Sequence, residues 1–190
     1  MFKIYEAKGI VRIPPEYFGE ADVNSVAAKV LRTQYEGYID PSIGLIIAVY
    51  DVDASDEGIV IHGDGATYHE VNFKLLVFSP REREIVEGEV VSVKNFGLFV
   101  NIGPLDALVH KSQITDEEPL DYDAAREIFI GKKTKRIIGK GDRIRGMITA
   151  VSMQATARQP KIALTMRQPF LGKLEWIKKQ IEALRKAGEE

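Results

Sequence analysis

Residues 88–103 read Gly88-Glu89-Val90-Val91-Ser92-Val93-Lys94-Asn95-Phe96-Gly97-Leu98-Phe99-Val100-Asn101-Ile102-Gly103, and this stretch decides the fold of the second half of the chain. A strand sends successive side chains to opposite faces. With Leu98, Val100 and Ile102 lining an interior, Phe99 and Asn101 must point outward. Gly97 permits a bend or bulge, which lets the Phe96 ring join Phe99 on the outer face. Two exposed rings beside basic side chains suit the stacking of unpaired bases, worth about 1–3 kcal/mol per base. Alternation alone is met equally well by rings that cover a barrel end or dock on the N-terminal part of the chain.

Around this hairpin, short apolar strands alternate with turn signals. Residues 85–94, 98–102, 107–109, 143–151 and 162–165 read as strands separated by Asn-Phe-Gly, Gly-Pro and Lys-Gly-Asp, the pattern of a small closed barrel. Residues 116–140 are a long excursion between them, with no conformation legible in their pattern. Residues 169–187 read as one helix, with Leu174, Ile177, Ile181 and Leu184 on one side and Lys178, Lys179, Glu182, Arg185 and Lys186 on the other. That apolar side suits packing on its own barrel, with packing on a partner as the alternative.

Toward the N-terminus, Pro80 marks a boundary. Residues 3–13 read as a strand stopped by Pro14-Pro15, neither of which can donate to a ladder. A helix follows, with Val23, Val26, Ala27, Val30, Leu31 and Tyr35 on one face, Asp22 as its cap and Gly37 as its end. Residues 44–52 form an apolar central strand, 53–58 a turn, 59–61 a short return strand, and 68–78 a long strand in which Val71, Phe73, Leu75 and Val77 alternate with polar neighbours. Leu76 and Phe78 fall on the otherwise polar face and need a covering surface. The expected architecture is an α+β N-terminal tip domain, a small antiparallel-type sheet with one helix, followed by an all-β OB-fold barrel and a C-terminal helix. The boundaries are 1–80, 81–168 and 169–190.

Composition narrows the function. With 45% apolar and 28% charged residues the chain has the makeup of a folded protein. Its longest apolar run, residues 45–50, is far short of the ~20 residues of a membrane span. Nothing at the N-terminus resembles a secretory signal, and cysteine is absent, so a cytoplasmic protein is expected. The net charge of −2 hides an asymmetry: residues 1–123 carry a net −12 and residues 124–190 a net +10. A basic segment of this kind is the footprint of polyanion binding, because each Lys or Arg that meets a phosphate releases counterions. Two solvated faces of opposite sign would give the same totals.

The spacing Gly88-x-Val90-x-x-Val93-x-x-Phe96-Gly97-x-Phe99-Val100-x-Ile102-Gly103, followed by Leu108-Val109-His110-x-Ser112-x-Ile114, resembles the RNA-binding OB domain named after ribosomal protein S-one. Gly141-Asp142 and Lys161-Ile162-Ala163-Leu164-Thr165-Met166-Arg167 resemble the opening and closing of that domain's last strands. The resemblance implies RNA contacts at Phe96, Phe99 and His110. The full candidate RNA-binding set is Lys94, Phe96, Phe99, His110, Arg145, Arg158, Lys161 and Arg167. Two positions depart from the family pattern: Ser152 stands where Asp is usual and Lys161 where Arg is usual, with residues 153–160 inserted between them. Lys161 keeps the charge for a phosphate and loses the bidentate fork. The front half has its own signature, Val11-Arg12-Ile13-Pro14-Pro15-x-x-Phe18-Gly19 and Gly63-Asp64-Gly65-Ala66-x-Tyr68-His69-Glu70-Val71-x-Phe73. With Leu164-Thr165-Met166-Arg167-Gln168-Pro169, these blocks resemble the E-prime family of stalk subunits of archaeal DNA-directed RNA polymerase, counterpart of the eukaryotic seventh subunit. The resemblance spans essentially the whole chain. It implies a tip domain docked on the polymerase core, a heterodimer with the enzyme's other, small stalk subunit, and a barrel that binds nascent single-stranded RNA in initiation and elongation.

Other motifs lead nowhere. Asp51, Asp53 and Ser55 begin like a calcium loop, yet Asp56 replaces its Gly and His62 its Glu. Gly63-Asp64-Gly65 lacks the Gly-Lys-Ser/Thr of a phosphate cradle and leads into a strand, so it reads as a turn. His62, His69 and His110 lack metal-ligand spacing, and no nucleophile has a base beside it. A non-catalytic chain without cofactor or metal is expected, with any nucleotidyl transfer left to partner subunits. The competing readings are an OB-fold factor of translation or RNA decay and, more remotely, a hydrolase acting on RNA.

Overall fold

The computed structural model describes residues 1–19, 22–153 and 160–188, with side chains up to residue 186. The chain divides into two units after Ser79. In the first, β1 (Phe2–Ile13), α1 (Val23–Tyr35), β2 (Ile39–Asp40), β3 (Gly44–Val60) and β4 (Thr67–Phe78) give a sheet in the order β1-β4-β3-β2, antiparallel throughout. The alternating Val71, Phe73, Leu75 and Val77 of β4 are all buried, and Val26, Ala27 and Leu31 of α1 close the same core. Asp22 caps α1 by accepting from the backbone N–H groups of Asn24 and Ser25, and Gly37, at φ +82°, follows its last turn. Phe78 is covered in part by Phe2, its register partner on β1, which lies edge-on against it at 5.2 Å.

One expectation is corrected here. Residues 53–58 are not a turn between two strands; β3 runs unbroken to Val60 and stays paired with β4. Its extra residues are absorbed in register shifts between Ile46 and Ala48, Tyr50 and Asp53, and Ala54 and Gly58. Two side chains hold the irregular stretch. Asn24 Oδ1 accepts from the Ala54 N–H at 2.7 Å, and buried His69 meets the Ser55 carbonyl through Nδ1 at 2.7 Å and the Thr67 hydroxyl through Nε2 at 3.0 Å. A Cβ at Gly58 would stand 2.5 Å from that ring, which accounts for glycine there.

The second unit is built on β5 (Ile85–Lys94), β6 (Gly97–Asn101) and β7 (Asp106–His110). The excursion at 116–140 folds as a three-stranded sheet of β8 (Leu120–Asp123), β9 (Ile128–Gly131) and β10 (Ile137–Gly139) around buried Phe129 and Ile138. The chain then returns as β11 (Arg143–Ser152) and β12 (Lys161–Thr165). The order β12-β7-β6-β5-β11 closes through β11 against β12 into a five-stranded barrel, with β12 parallel to β7. Val90, Val93, Leu98, Val100, Val109, Ile144, Ile148 and Leu164 fill it. The last helix begins later than the apolar period suggests. Residues 168–171 turn, Gly172 takes φ +123°, and β13 (Gly172–Lys173) pairs with β11 before α2 (Leu174–Gly188) starts. Ile177 is buried, whereas Ile181 and Leu184 are exposed, so the barrel takes only the first part of the apolar face.

The β8–β10 sheet depends on Glu118, a buried carboxylate before β8. It accepts from the Thr134 hydroxyl and from the backbone N–H groups of Lys133 and Thr134, and a side chain at Gly131 would collide with it. The Thr134 hydroxyl and these N–H groups hold the carboxyl below its ordinary value of 4.5. A carboxyl whose folded pKa is depressed stabilises the fold fully above its ordinary value, and that contribution is lost as pH falls through the folded one. Acidification should therefore release the 131–136 turn before the barrel opens, with amide resonances of Lys133 and Thr134 shifting ahead of those of β5 and β6. Glu118→Gln should show the released turn at neutral pH. Simultaneous loss of all resonances would mean that Glu118 does not hold the turn.

Candidate nucleic-acid interface

The interface is set by how closely β6 and β7 approach. Gly97 pairs with His110, and a Cβ at Gly97 would run into the Val109 carbonyl and come within 3.0 Å of His110 Cα. Gly88 on β5 is excluded from carrying a side chain in the same way, by the Asn101 carbonyl. With the strands this close, Leu98 and Val100 are fully buried and Phe99 between them turns outward, half-buried. Phe96 is 44% exposed and lies 6.0 Å from Phe99, its ring at 88° to it. The two rings thus share the outer face, edge to face.

Strand register arranges the rest of this face. Lys94, Gly97 and His110 form one row across β5, β6 and β7. Ser92, Phe99, Leu108 and Ala163 form the next, so Phe99 stands between Ser92 on β5 and Leu108 on β7. Lys161 stands on the same outward face two residues before Ala163, cross-strand from Ser152. The two departures from the family pattern are therefore direct neighbours. His110 is exposed, and its Nδ1 faces the Ser112 hydroxyl at 2.8 Å and accepts from the Ser112 N–H at 3.3 Å. A neutral ring accepting at Nδ1 carries its proton on Nε2, which is then the donor to a phosphate or a base edge.

Phe96 is anchored from the other side of the loop: its carbonyl accepts from the Lys111 N–H at 2.9 Å. Lys111, whose backbone is thus tied to Phe96 and whose side chain is exposed, is a cation that the sequence reading passed over, although its place directly after His110 was the available signal. Two other candidates lie elsewhere. The Arg145 guanidinium is engaged by Glu87 at 2.7 and 2.9 Å, and Glu87 is five residues along β5 from Ser92, roughly 16 Å at strand rise. Arg167 follows β12 and is paired with Asp116 at 3.0 Å. Arg158 lies outside the described residues. Lys94, Phe96, Phe99, His110 and Lys161 are thus brought to one face, and Arg145 and Arg167 are held by carboxylates. Among the described residues, no three His, Cys, Asp or Glu side chains gather as a metal site.

In the first unit, the two signature blocks meet in one cluster. Arg12 donates from Nε and Nη2 to Asp64 at 2.8 and 2.7 Å, the Tyr68 hydroxyl donates to Asp64 at 2.7 Å, and Gly65 packs near Pro15. Arg12, then Tyr68, hold the Asp64 carboxyl well below the usual carboxylate range. The segment that read as a mere turn is the acceptor that ties the β3–β4 connection to β1.

Comparison with known proteins agrees with both units. The profile of the "SHS2 domain found in N terminus of Rpb7p/Rpc25p/MJ0397" matches residues 8–65, and that of the "S1 RNA binding domain" matches residues 79–158. The DNA-directed RNA polymerase subunit Rpo7 of Sulfolobus acidocaldarius is 54% identical over 181 residues, covering 95% of this chain and 97% of its own. The chain belongs to the Rpo7 family of RNA polymerase subunits. Rpo7 of Saccharolobus solfataricus is 52% identical over 93% of this chain and 97% of its own. The similarity extends to Schizosaccharomyces pombe DNA-directed RNA polymerase II subunit rpb7, 29% identical over 91% of this chain and 99% of its own. Within this Rpo7-type chain, the S1 match contains Lys94, Phe96, Phe99 and His110 and ends before Lys161, and the SHS2 match contains Arg12 and Asp64. The β6–β7 approach makes Gly97 a sensitive position: Gly97→Ala should destabilise the barrel by about 1–3 kcal/mol in urea unfolding, since the added methyl meets backbone and not a side chain that can move. An unchanged midpoint would show that the two strands have room to separate.

Proposed function

We propose that this chain is a non-catalytic stalk subunit of DNA-directed RNA polymerase that binds nascent single-stranded RNA on the outer face of its barrel and supports initiation and elongation. The observation that carries the reading is the outward Phe96–Phe99 pair, bordered by Lys94, His110 and Lys161 on a closed five-stranded barrel. Bases stack on the rings while the cations meet phosphates, a mode that tolerates any sequence because every base has a π-face. A polymerase stalk needs that tolerance. Residues 1–80 act as the tip that docks on the core, residues 81–168 as the RNA-binding domain, and residues 169–190 as an appended helix. The small stalk subunit of the polymerase is the expected heterodimer partner. Whole-length kinship with polymerase subunits favours this machine over a factor of translation or RNA decay. The cytoplasm is the expected compartment; no helix among the described residues is long and apolar enough to cross a membrane.

Binding of labelled single-stranded RNA separates stacking from charge. Phe99→Ala should lose about 1–3 kcal/mol at every salt concentration with its salt slope unchanged. Lys161→Ala should lower the slope by about 0.7, the share of one phosphate on a single strand. Full affinity in a folded Phe99→Ala variant would make the ring structural. Co-expression with the small stalk partner should yield a complex that rejoins polymerase core, and failure of both associations would defeat the stalk assignment. RNA incubated with the chain and divalent metal should stay intact; cleavage abolished by a point substitution would overturn the non-catalytic assignment.

A further inference from the structure

The Phe96–Phe99 face accounts for little of the basic excess in residues 124–190, which carry a net +10. Part of that excess is neutralised by carboxylates outside the segment: Lys132 pairs with Asp121, Arg136 with Glu117, Arg145 with Glu87 and Arg167 with Asp116, while within it Lys173 pairs with Asp142. Lys135, on the turn between β9 and β10, and Lys179, on α2, are exposed and make no ion pair with described residues. Both line one open groove of about 510 Å³ between that turn and the helix. Its floor includes the half-buried Trp176, whose ring centre lies 5.7 Å from the Arg136 guanidinium carbon. Glu175, the one carboxylate lining the groove among the described residues, is engaged by Lys173 at 3.3 Å.

We propose that this groove is a second single-stranded RNA subsite, in which Lys135 and Lys179 hold phosphates and the Trp176–Arg136 pair takes a base. The inference deepens the RNA-binding reading and rests on it. An indole next to a guanidinium offers a flat, cationic surface of the kind that base stacking uses, and lysines on both walls suit a backbone that runs between them. An acidic polypeptide would use the lysines and have little use for the indole. A transcript longer than the roughly 4–16 nucleotides that one OB fold covers has length to spare for a second contact on the same unit.

Trp176 is the single tryptophan of the chain, so tryptophan fluorescence reports on this indole and its surroundings. The full chain is titrated with oligouridine of about 30 nucleotides, beyond one OB site, and of about 6, within it, while anisotropy of the labelled RNA reports total binding. The longer RNA should change Trp176 emission, also in Phe99→Ala, and the shorter one should not. Lys135→Gln combined with Lys179→Gln should abolish the change, weaken binding of the longer RNA about tenfold and lower its salt slope by about 1.4, the share of two phosphates. The shorter RNA should bind the double variant as it binds the unsubstituted chain. Binding of the longer RNA with silent Trp176 emission and an unaltered slope would overturn the second subsite and leave the Phe96–Phe99 face standing. No binding of either RNA would remove both. A change in emission with polyglutamate at lower concentration than with RNA would assign the groove to an acidic polypeptide and overturn the proposal.

Discussion

The contact between the Gly97 backbone of β6 and the Val109–His110 backbone of β7 is the constraint on which the interface depends. With no side chain at 97, two strands lie close enough for Leu98 and Val100 to fill the barrel, and pleating then leaves Phe99 one direction, outward. The same closeness seats His110 in one row with Lys94, across Gly97, and brings Lys111 near enough to bond the Phe96 carbonyl. The aromatic pair is therefore a consequence of barrel closure. The two rings meet edge to face, 6.0 Å apart.

The two units divide the chemistry. In the first, polar side chains are spent on holding irregular backbone: Asp64 gathers Arg12, Tyr68 and the Ala66 N–H, while His69 and Asn24 secure the bulged β3. In the second, polar groups at the surface are divided between carboxylate-paired arginines and cations left open to a polyanion. A phosphate competes poorly for Arg145 or Arg167, whose carboxylate partners are already in place. Lys94, Lys161 and Lys135 have no such competitor among the described residues. The distribution of acidic partners, more than the distribution of bases, decides which parts of this barrel are electrostatically available.

Legibility in the sequence followed the physics of each segment. The β5–β6 hairpin was readable because one face of a two-residue period is wholly buried, which leaves a clear alternation at Leu98, Phe99 and Val100. The second half of β3 was not, because its bulges place Asp53, Ser55, Asp56 and Glu57 within a strand, where their polarity imitates a turn. The β8–β10 sheet was invisible because a single carboxylate, Glu118, organises it through backbone N–H groups, and that leaves no periodicity. The late start of α2 had the same origin, since the apolar spacing at Leu174 and Ile177 continues the helical period while Gly172 and Lys173 pair with β11. Residue type identified Arg145 and Arg167 as cations. It carried no information on Glu87 and Asp116, which come to them from distant parts of the sequence.

The central claim is that bases stack on the outward rings of β6 and its preceding turn. Its most direct test is a titration of the full chain with a short oligouridine, following the aromatic ring resonances of Phe96 and Phe99 by nuclear magnetic resonance. The account predicts that these two rings shift upfield and give intermolecular contacts to uracil protons, with His110 perturbed beside them. Saturable RNA binding that leaves both rings unmoved while perturbing other surfaces would contradict it.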